Sequence, residues 1–404
     1  MRNKGVVIFV VLSSFLLFTI SLSGAETLKI GSLVSTTGDL AAYGPPINNG
    51  SLLAAKDINS AGGVLGRDVE IILRDTQTNP TAAVDAAKKL VDIDNVVGIA
   101  GALSSGVTIP VATSVSIPSG VVQISPASTS EKISTLNDND YVFRTVAMDA
   151  LQAPALARVL VNDKGFNKIS IVYVNNDYGE GLAKGLKTAF EEMGGQVTAM
   201  IPYNDKQASY KGEAEKAIRG EPEAVAMISY PQFGSMIMRQ ILEIGYKGAF
   251  AYADGMKAPE VIKNVGAKYV EGTHGTVAAN PNQELANWFK AHYQSEYGEM
   301  PPKPYIDTQY DAVVLMALAM AKGGAATRET IHDNLRRVAN PPGTKVDARN
   351  LAKGFELLKE GKEINYDGVS GSCNFDKFGD VPGSFEVWAF TKEGIKTVKY
   401  ITVE

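Results

Sequence analysis

The sequence predicts an α/β protein made of two doubly wound lobes, each a parallel sheet covered by helices on both faces. Apolar runs of strand length alternate with stretches of helical spacing, and strands apolar on both faces belong to parallel sheets sandwiched between helices. Around ten such units occur, more than one ordinary sheet takes. The polar stretch "STLNDNDYVFRT" breaks the rhythm near Asn137 to Thr145.

"TLKIGSLV" opens the first lobe, and a helix from about Pro45 to Ala61 follows, stopped by Gly62 and Gly63. "GGVLGR", Gly62 to Arg67, comes after a helix instead of a strand, which makes it a turn and not a dinucleotide loop. "VEIILRD" leads into "TAAVDAAKKLVDID", where Val84, Ala87, Leu90 and Val91 share one face. "VVGIAGAL" and "VVQIS" complete this half. A second beginning at Met148 leads to "ISIVYVN", "VTAMIP", "AVAMISY" and "AFAYAD". Phe233, Met236, Ile237, Ile241 and Ile244 keep helical spacing and read as core.

The chain then re-enters the first lobe near Ala278 and crosses once more close to its end. Tyr310 to Ala321, "YDAVVLMALAMA", is apolar nearly all round, the mark of a buried helix too short to span a bilayer. "MPPKPY" and "NPPGTKV" are loops by their prolines. The expected division is residues 26–146 and 277–383 in lobe 1, and 147–276 and 384–404 in lobe 2.

Residues 1–25 read as an export signal. Arg2 and Lys4 precede the apolar run "VVIFVVLSSFLLFTI", and Ser23 and Ala25 are spaced for cleavage after Ala25. That run falls short of the about 20 apolar residues of a membrane span. The expected location is therefore the periplasm.

The formal charge of −5 and the lack of a basic stripe speak against nucleic acid as a partner. Cys373 is the only cysteine, so no internal disulfide is available, and with no basic neighbour in sequence it reads as a packed small side chain.

Catalytic chemistry is hard to find. His274, His292 and His332 are scattered outside any metal-ligand spacing, and no metal or other cofactor is expected. "GVSGS", Gly368 to Ser372, has the wrong register for a nucleophile elbow, and no phosphate loop occurs.

The informative segments are the strand ends, because ligands of open α/β sheets bind beyond the carboxyl ends of the strands. "LVSTTGDLAAYG", "GALSSG" and "ISPASTS" are rich in Ser and Thr, neutral donors suited to a carboxylate. "YVNNDYGEG", "ISYPQFG" and "YADGM" carry Tyr and Asp, suited to an ammonium and an apolar side chain. Each candidate also has a structural reading. Ser104, Ser105 and Thr129 fit helix caps, and Asp254 fits a turn or N-cap. Tyr178 and Tyr230 fit packing beneath loops, and Tyr43 a hydrophobic staple.

In order and spacing, "TGDLAAYG", "AAKDINSAGGVLGR", "RDTQTNP", "GALSSG", "ISPASTS", "YVFRT", "YVNNDYGEG" and "GSCNFDKFGD" give the chain its resemblance to a known family. It resembles the branched-chain amino-acid binding proteins of ABC importers, the type I periplasmic binding proteins, over essentially all of the mature sequence. The resemblance implies two lobes joined by three crossovers with one ligand in the cleft. By motif it implies that Ser104 and Ser105, the latter preferred, hold the ligand carboxylate with the Ala127 backbone and the Thr129 backbone and hydroxyl. It further implies that Tyr178 and Tyr230 close from the second lobe, Asp254 receives the α-ammonium, and Tyr43 forms an aromatic wall.

Two departures stand out. The family's Pro-Leu-Thr-Gly is here Ser35, Thr36, Thr37 and Gly38, which offers the ligand an extra hydroxyl, and a paired aspartate is here Asp75 and Thr76, a change away from the cleft. The implied function is a monomeric exported receptor, not an enzyme. It captures a small neutral or aliphatic amino acid and delivers it to the membrane permease of an ABC importer. The same fold also serves for an amide, a urea-like solute or an aromatic acid, or as a sensor feeding a signalling partner.

Overall fold

In the first half of the chain, β1 (Leu28–Val34), β2 (Val69–Asp75), β3 (Gly98–Gly101), β4 (Gln123–Ser125) and β5 (Val142–Arg144) form a sheet in the order β2-β1-β3-β4-β5, every neighbouring pair parallel. The computed structural model describes residues 26–402, so the predicted leader and its cleavage site lie outside the described residues. Strands β3, β4 and β5 are buried along their whole length, as a parallel sheet covered on both faces requires. β5 falls inside the stretch read as a break in the rhythm; three residues leave no period to detect.

The second sheet contains β6 (Lys168–Val174), β7 (Gln196–Tyr203), β8 (Ala224–Ile228), β9 (Ala249–Tyr252) and β10 (His274–Ala278). After the short strands β11 (Thr344–Val346), β12 (Ile364–Gly368) and β13 (Gly371–Ser372), which form a separate small sheet, it is completed by β14 (Ser384–Thr391) and β15 (Gly394–Thr402). Its order is β15-β14-β10-β9-β8-β6-β7. The expectation of purely parallel strands needs correcting here, because β14 runs antiparallel to both β10 and β15. Only Lys392 and Glu393 separate β14 from β15, and two residues close a hairpin but cannot make a parallel crossover.

Helix Ile306–Gly323 packs against helix Gly44–Ser60 and β3, and is buried from Thr308 through Met320, as its all-round apolar sequence requires. Helix Pro80–Asp92 buries Ala83, Ala87, Leu90 and Val91, with Val84 at the edge of that face. In helix Pro231–Glu243, Phe233, Ile237 and Ile241 are buried, while Met236 and the following Ile244 pack at the margin. "GGVLGR" is a turn closed by a bridge between Val64 and Arg67. Cys373 is buried, and burial pushes its thiol well above the ordinary range.

The chain passes between the lobes three times: after β5, after β10 and before β14. At the first and third passages a fully buried ion pair joins segments far apart in sequence. Arg144 Nε lies 2.6 Å from Asp380 Oδ1; its other nitrogens donate to the Ser130 carbonyl at 2.9 Å and to Ser134 Oγ at 2.5 Å. Ser134 in turn donates to Asp380 Oδ2 at 2.7 Å. With every partner in place the buried charges are compensated, whereas removing one leaves the other stranded. Arg144→Ala is therefore expected to lower stability by about 3–5 kcal/mol, read from the midpoint of urea unfolding. The double replacement Arg144→Met with Asp380→Leu should recover most of that loss. An equal loss in both proteins would show that the stranded charge is not the cause.

Candidate functional site

The carboxyl ends of the parallel strands in the two sheets face each other across a narrow cleft of about 30 Å³. The β1 end contributes Leu40 and Tyr43, the β3 end Leu103, Ser104 and Ser105, and the β4 end Ala127. From the other lobe come Tyr178 after β6, Tyr230 after β8, and Asp254 and Gly255 after β9. Ile47 and Tyr305 complete the wall. Of the residues singled out in the sequence, Tyr43, Ser104, Ser105, Ala127, Tyr178, Tyr230 and Asp254 meet in this one space.

Their polar atoms reach across the gap. Ser104 occupies the cap position of helix Ser105–Val111 without making a side-chain cap bond; its Oγ lies 3.0 Å from Tyr230 OH instead. Ser105 Oγ accepts from the Ser130 N–H at 3.2 Å, which leaves its own proton free to donate. Tyr43, the staple candidate, donates its hydroxyl at 2.9 Å to the Gly255 carbonyl of the opposite lobe. Tyr178 and Tyr230 stack with ring centres 5.6 Å apart and planes 12° from parallel. Gly255 permits this close packing. A Cβ there would stand 2.5 Å from the Ser229 carbonyl oxygen, 3.1 Å from Tyr178 OH and 3.2 Å from the Tyr230 ring.

Asp254 opens a short helix whose cap position is held by Ala253. Tyr178 donates to its Oδ1 at 2.8 Å, and Tyr305 donates to its Oδ2 from the first lobe. Burial pushes the Asp254 carboxyl above its ordinary range, opposed by these hydroxyls, whose own ionisation burial also makes harder. Among the described residues no Lys or Arg lines the cleft, and the one charged wall residue is an acid.

Thr129 is not among the lining residues. Its carbonyl accepts from the Asp149 N–H at 2.8 Å, and its hydroxyl has no hydrogen-bond partner within the protein. Asp149 itself is buried with both carboxylate oxygens unpartnered; burial first, then the charge of Asp254, hold its carboxyl well above the ordinary range. The first loop also departs from expectation. Ser35 Oγ pairs with Thr76 Oγ1 at 2.6 Å, and Thr37 donates to Asp75 Oδ2 at 2.5 Å. Those hydroxyls are spent on the end of β2, so Ser35 and Thr37 offer the cleft nothing, and the loop presents Leu40 and Tyr43 in their place.

Sequence reasoning missed Tyr305 and Asp149. Tyr305 sits in "KPYIDTQY" with a left-handed backbone, φ 74°, at the start of its helix. A bulky residue there is a conformational outlier that a sequence does not announce, and such outliers gather at functional sites. Asp149 resembles an ordinary first-turn helix aspartate.

Comparison with known proteins agrees with this geometry. The family described as periplasmic binding protein matches residues 27–349. The chain is 27% identical over 383 residues to the leucine-, isoleucine-, valine-, threonine- and alanine-binding protein of Pseudomonas aeruginosa, covering 92% of each chain. It is 25% identical over 379 residues to the chemotactic signal transduction system substrate-binding protein BasB of Halobacterium salinarum, covering 92% of this chain and 89% of the relative. Among solved structures, the leucine binding protein LivK of Thermotoga maritima superposes with a TM-score of 0.78 at 25% identity, covering 93% of this chain and 99% of that one. Two α/β lobes meeting at their strand ends, with a match that runs through most of the sequence, place this chain in the periplasmic binding protein family.

Proposed function

We propose that this protein captures a small neutral amino acid, of which leucine is the working example, in the cleft outside the cytoplasm, and hands it to the permease of an ABC importer. The observation that carries the reading is the buried Asp254 carboxylate, gripped by a tyrosine from each lobe and facing serine hydroxyls across a space without a cation. An α-ammonium meets that acid, while Ser104 and Ser105 supply donors for the carboxylate at the opposite pole. The apolar part of the wall, Leu40, Ile47 and Leu103 with the tyrosine rings, accommodates an aliphatic side chain.

Contacts made by both lobes at once favour the closed form, since the open form cannot make them together. The leader sequence and the relative from Pseudomonas support the cellular setting and the ligand class. Ligands without an ammonium, such as aromatic acids, leave Asp254 unpaired in a desolvated site, which is costly. A second reading, capture of the same solute for a signalling partner, is favoured by the chemotactic relative. The two differ in the membrane protein that senses closure, and stimulation of an importer's ATPase by the loaded protein separates them.

At about 100 times its dissociation constant, L-leucine should add about 2.7 kcal/mol to stability, seen as a rise in melting temperature; a screen in which only acids lacking nitrogen give the rise would sink the ammonium assignment. Asp254→Ala is expected to weaken leucine binding by about 2–5 kcal/mol, and its des-amino analogue, 4-methylpentanoate, far less. Calorimetric titration checks this, and equal losses for the two ligands would reject the contact. Tyr305→Phe should weaken leucine by about 1.5–3 kcal/mol through the lost hydrogen bond to the charged Asp254, with the fold intact by circular dichroism.

A further inference from the structure

Beyond Ser104 and Tyr230 the cleft opens into a second space of about 190 Å³, and these two residues line both chambers. Asp39 and Thr78 enter it from the first lobe, Asn204 and Asp205 from the second. Asp39 is only 8% exposed, yet its Oδ1 is sealed from solvent without a hydrogen-bond partner. The charged groups acting on it are Asp205 and, more weakly, Lys206, both across the gap; Lys206 Nζ itself lies 3.5 Å from Asp205 Oδ2.

Burial, with Asp205 adding to it and Lys206 opposing, pushes the Asp39 carboxyl up to about 7. Lobe closure thus brings two acids together and desolvates one of them. Both effects oppose closing unless positive charge enters with it.

We propose that this outer chamber is a subsite for a small positively charged group, held between Asp39 of the first lobe and Asp205 of the second and complete only when the lobes are closed. Among the described residues no group of three or more metal-ligating side chains exists, so the chemistry is that of a monovalent cation or an ammonium and not of a caged divalent metal. Two sources share this chemistry: a free alkali cation, or a second amine on a ligand whose other end fills the inner cleft. The second source rests on the amino-acid reading above; the first does not.

The direction of the pH effect follows from the raised carboxyl. The closed form holds a proton on Asp39 more tightly than an open form with Asp39 hydrated, so closure is helped by that proton below about 7 and loses the help as pH rises through it, unless a cation takes its place.

The test compares wild type with Asp39→Asn, and with Asp205→Asn should the first variant fold poorly, at constant ionic strength set by tetramethylammonium chloride. At pH 8 and without amino acid, replacing tetramethylammonium by sodium should raise the wild-type melting temperature by about 2 °C and leave the variant unchanged. In tetramethylammonium alone, leucine affinity should fall about tenfold between pH 6 and 8 in wild type and stay flat in the variant, with sodium restoring the loss. No sodium response, together with an L-lysine over L-leucine preference of at least about tenfold that Asp39→Asn abolishes, assigns the charge to the ligand's own amine. Identical sodium response, pH profile and lysine preference in both proteins overturn the proposal. Because the melting arm contains no amino acid, failure of leucine to bind at all would count against the proposed function alone.

Discussion

The closed arrangement of this molecule depends on the buried carboxylate of Asp254. It stands just beyond the carboxyl end of β9, and it stays acceptably solvated only because Tyr178 and Tyr305 each supply a hydroxyl. The two tyrosines come from different lobes. Satisfying one acid therefore means bringing the lobes together, and the Tyr43 to Gly255 and Ser104 to Tyr230 contacts fall into place around it. A buried charge without such partners is costly, so the group proposed to meet a ligand's ammonium also helps set how far the halves approach.

The other fixed point lies at the passages between lobes. Arg144 closes β5, and its guanidinium binds Asp380 together with the Ser130 carbonyl and the Ser134 hydroxyl. Ser130 also donates its N–H to Ser105 in the cleft wall. The stretch "ISPASTS" thus touches both the cleft wall and the passages between the lobes. Its first serine, Ser125, donates to the Ala102 carbonyl at 2.6 Å, and Ser128 shares a hydrogen bond of 2.7 Å with Thr108. Most of its hydroxyls therefore shape the wall, and Ala127 is the residue that meets the cavity.

The parallel core was legible because its strands sit in apolar runs spaced by helical patterns, which is the strongest signal a sequence carries. β5 and the antiparallel pair β14 and β15 were not. The first is buried but only three residues long, and β15 is exposed along most of its length, so neither shows an apolar run long enough to read. In the site, residues at the ends of predicted strands came together as the strand-end rule requires. Tyr305 escaped because it belongs to no strand end; a proline-rich loop carries it into the cleft from more than 50 residues beyond Asp254. Thr129 is not among the residues lining the cleft, although its buried hydroxyl has no partner within the described residues.

Neither of the protein's two tryptophans lines the cleft: Trp288 stacks on His292 in helix Gln283–Tyr297, and Trp388 is buried against Tyr252 and Phe390 in the second sheet. The rings lining the cleft are Tyr43, Tyr178, Tyr230 and Tyr305. Spectroscopically the molecule is thus divided, with its indoles off the cleft wall and its phenol absorbance the direct optical record of the lobes coming together.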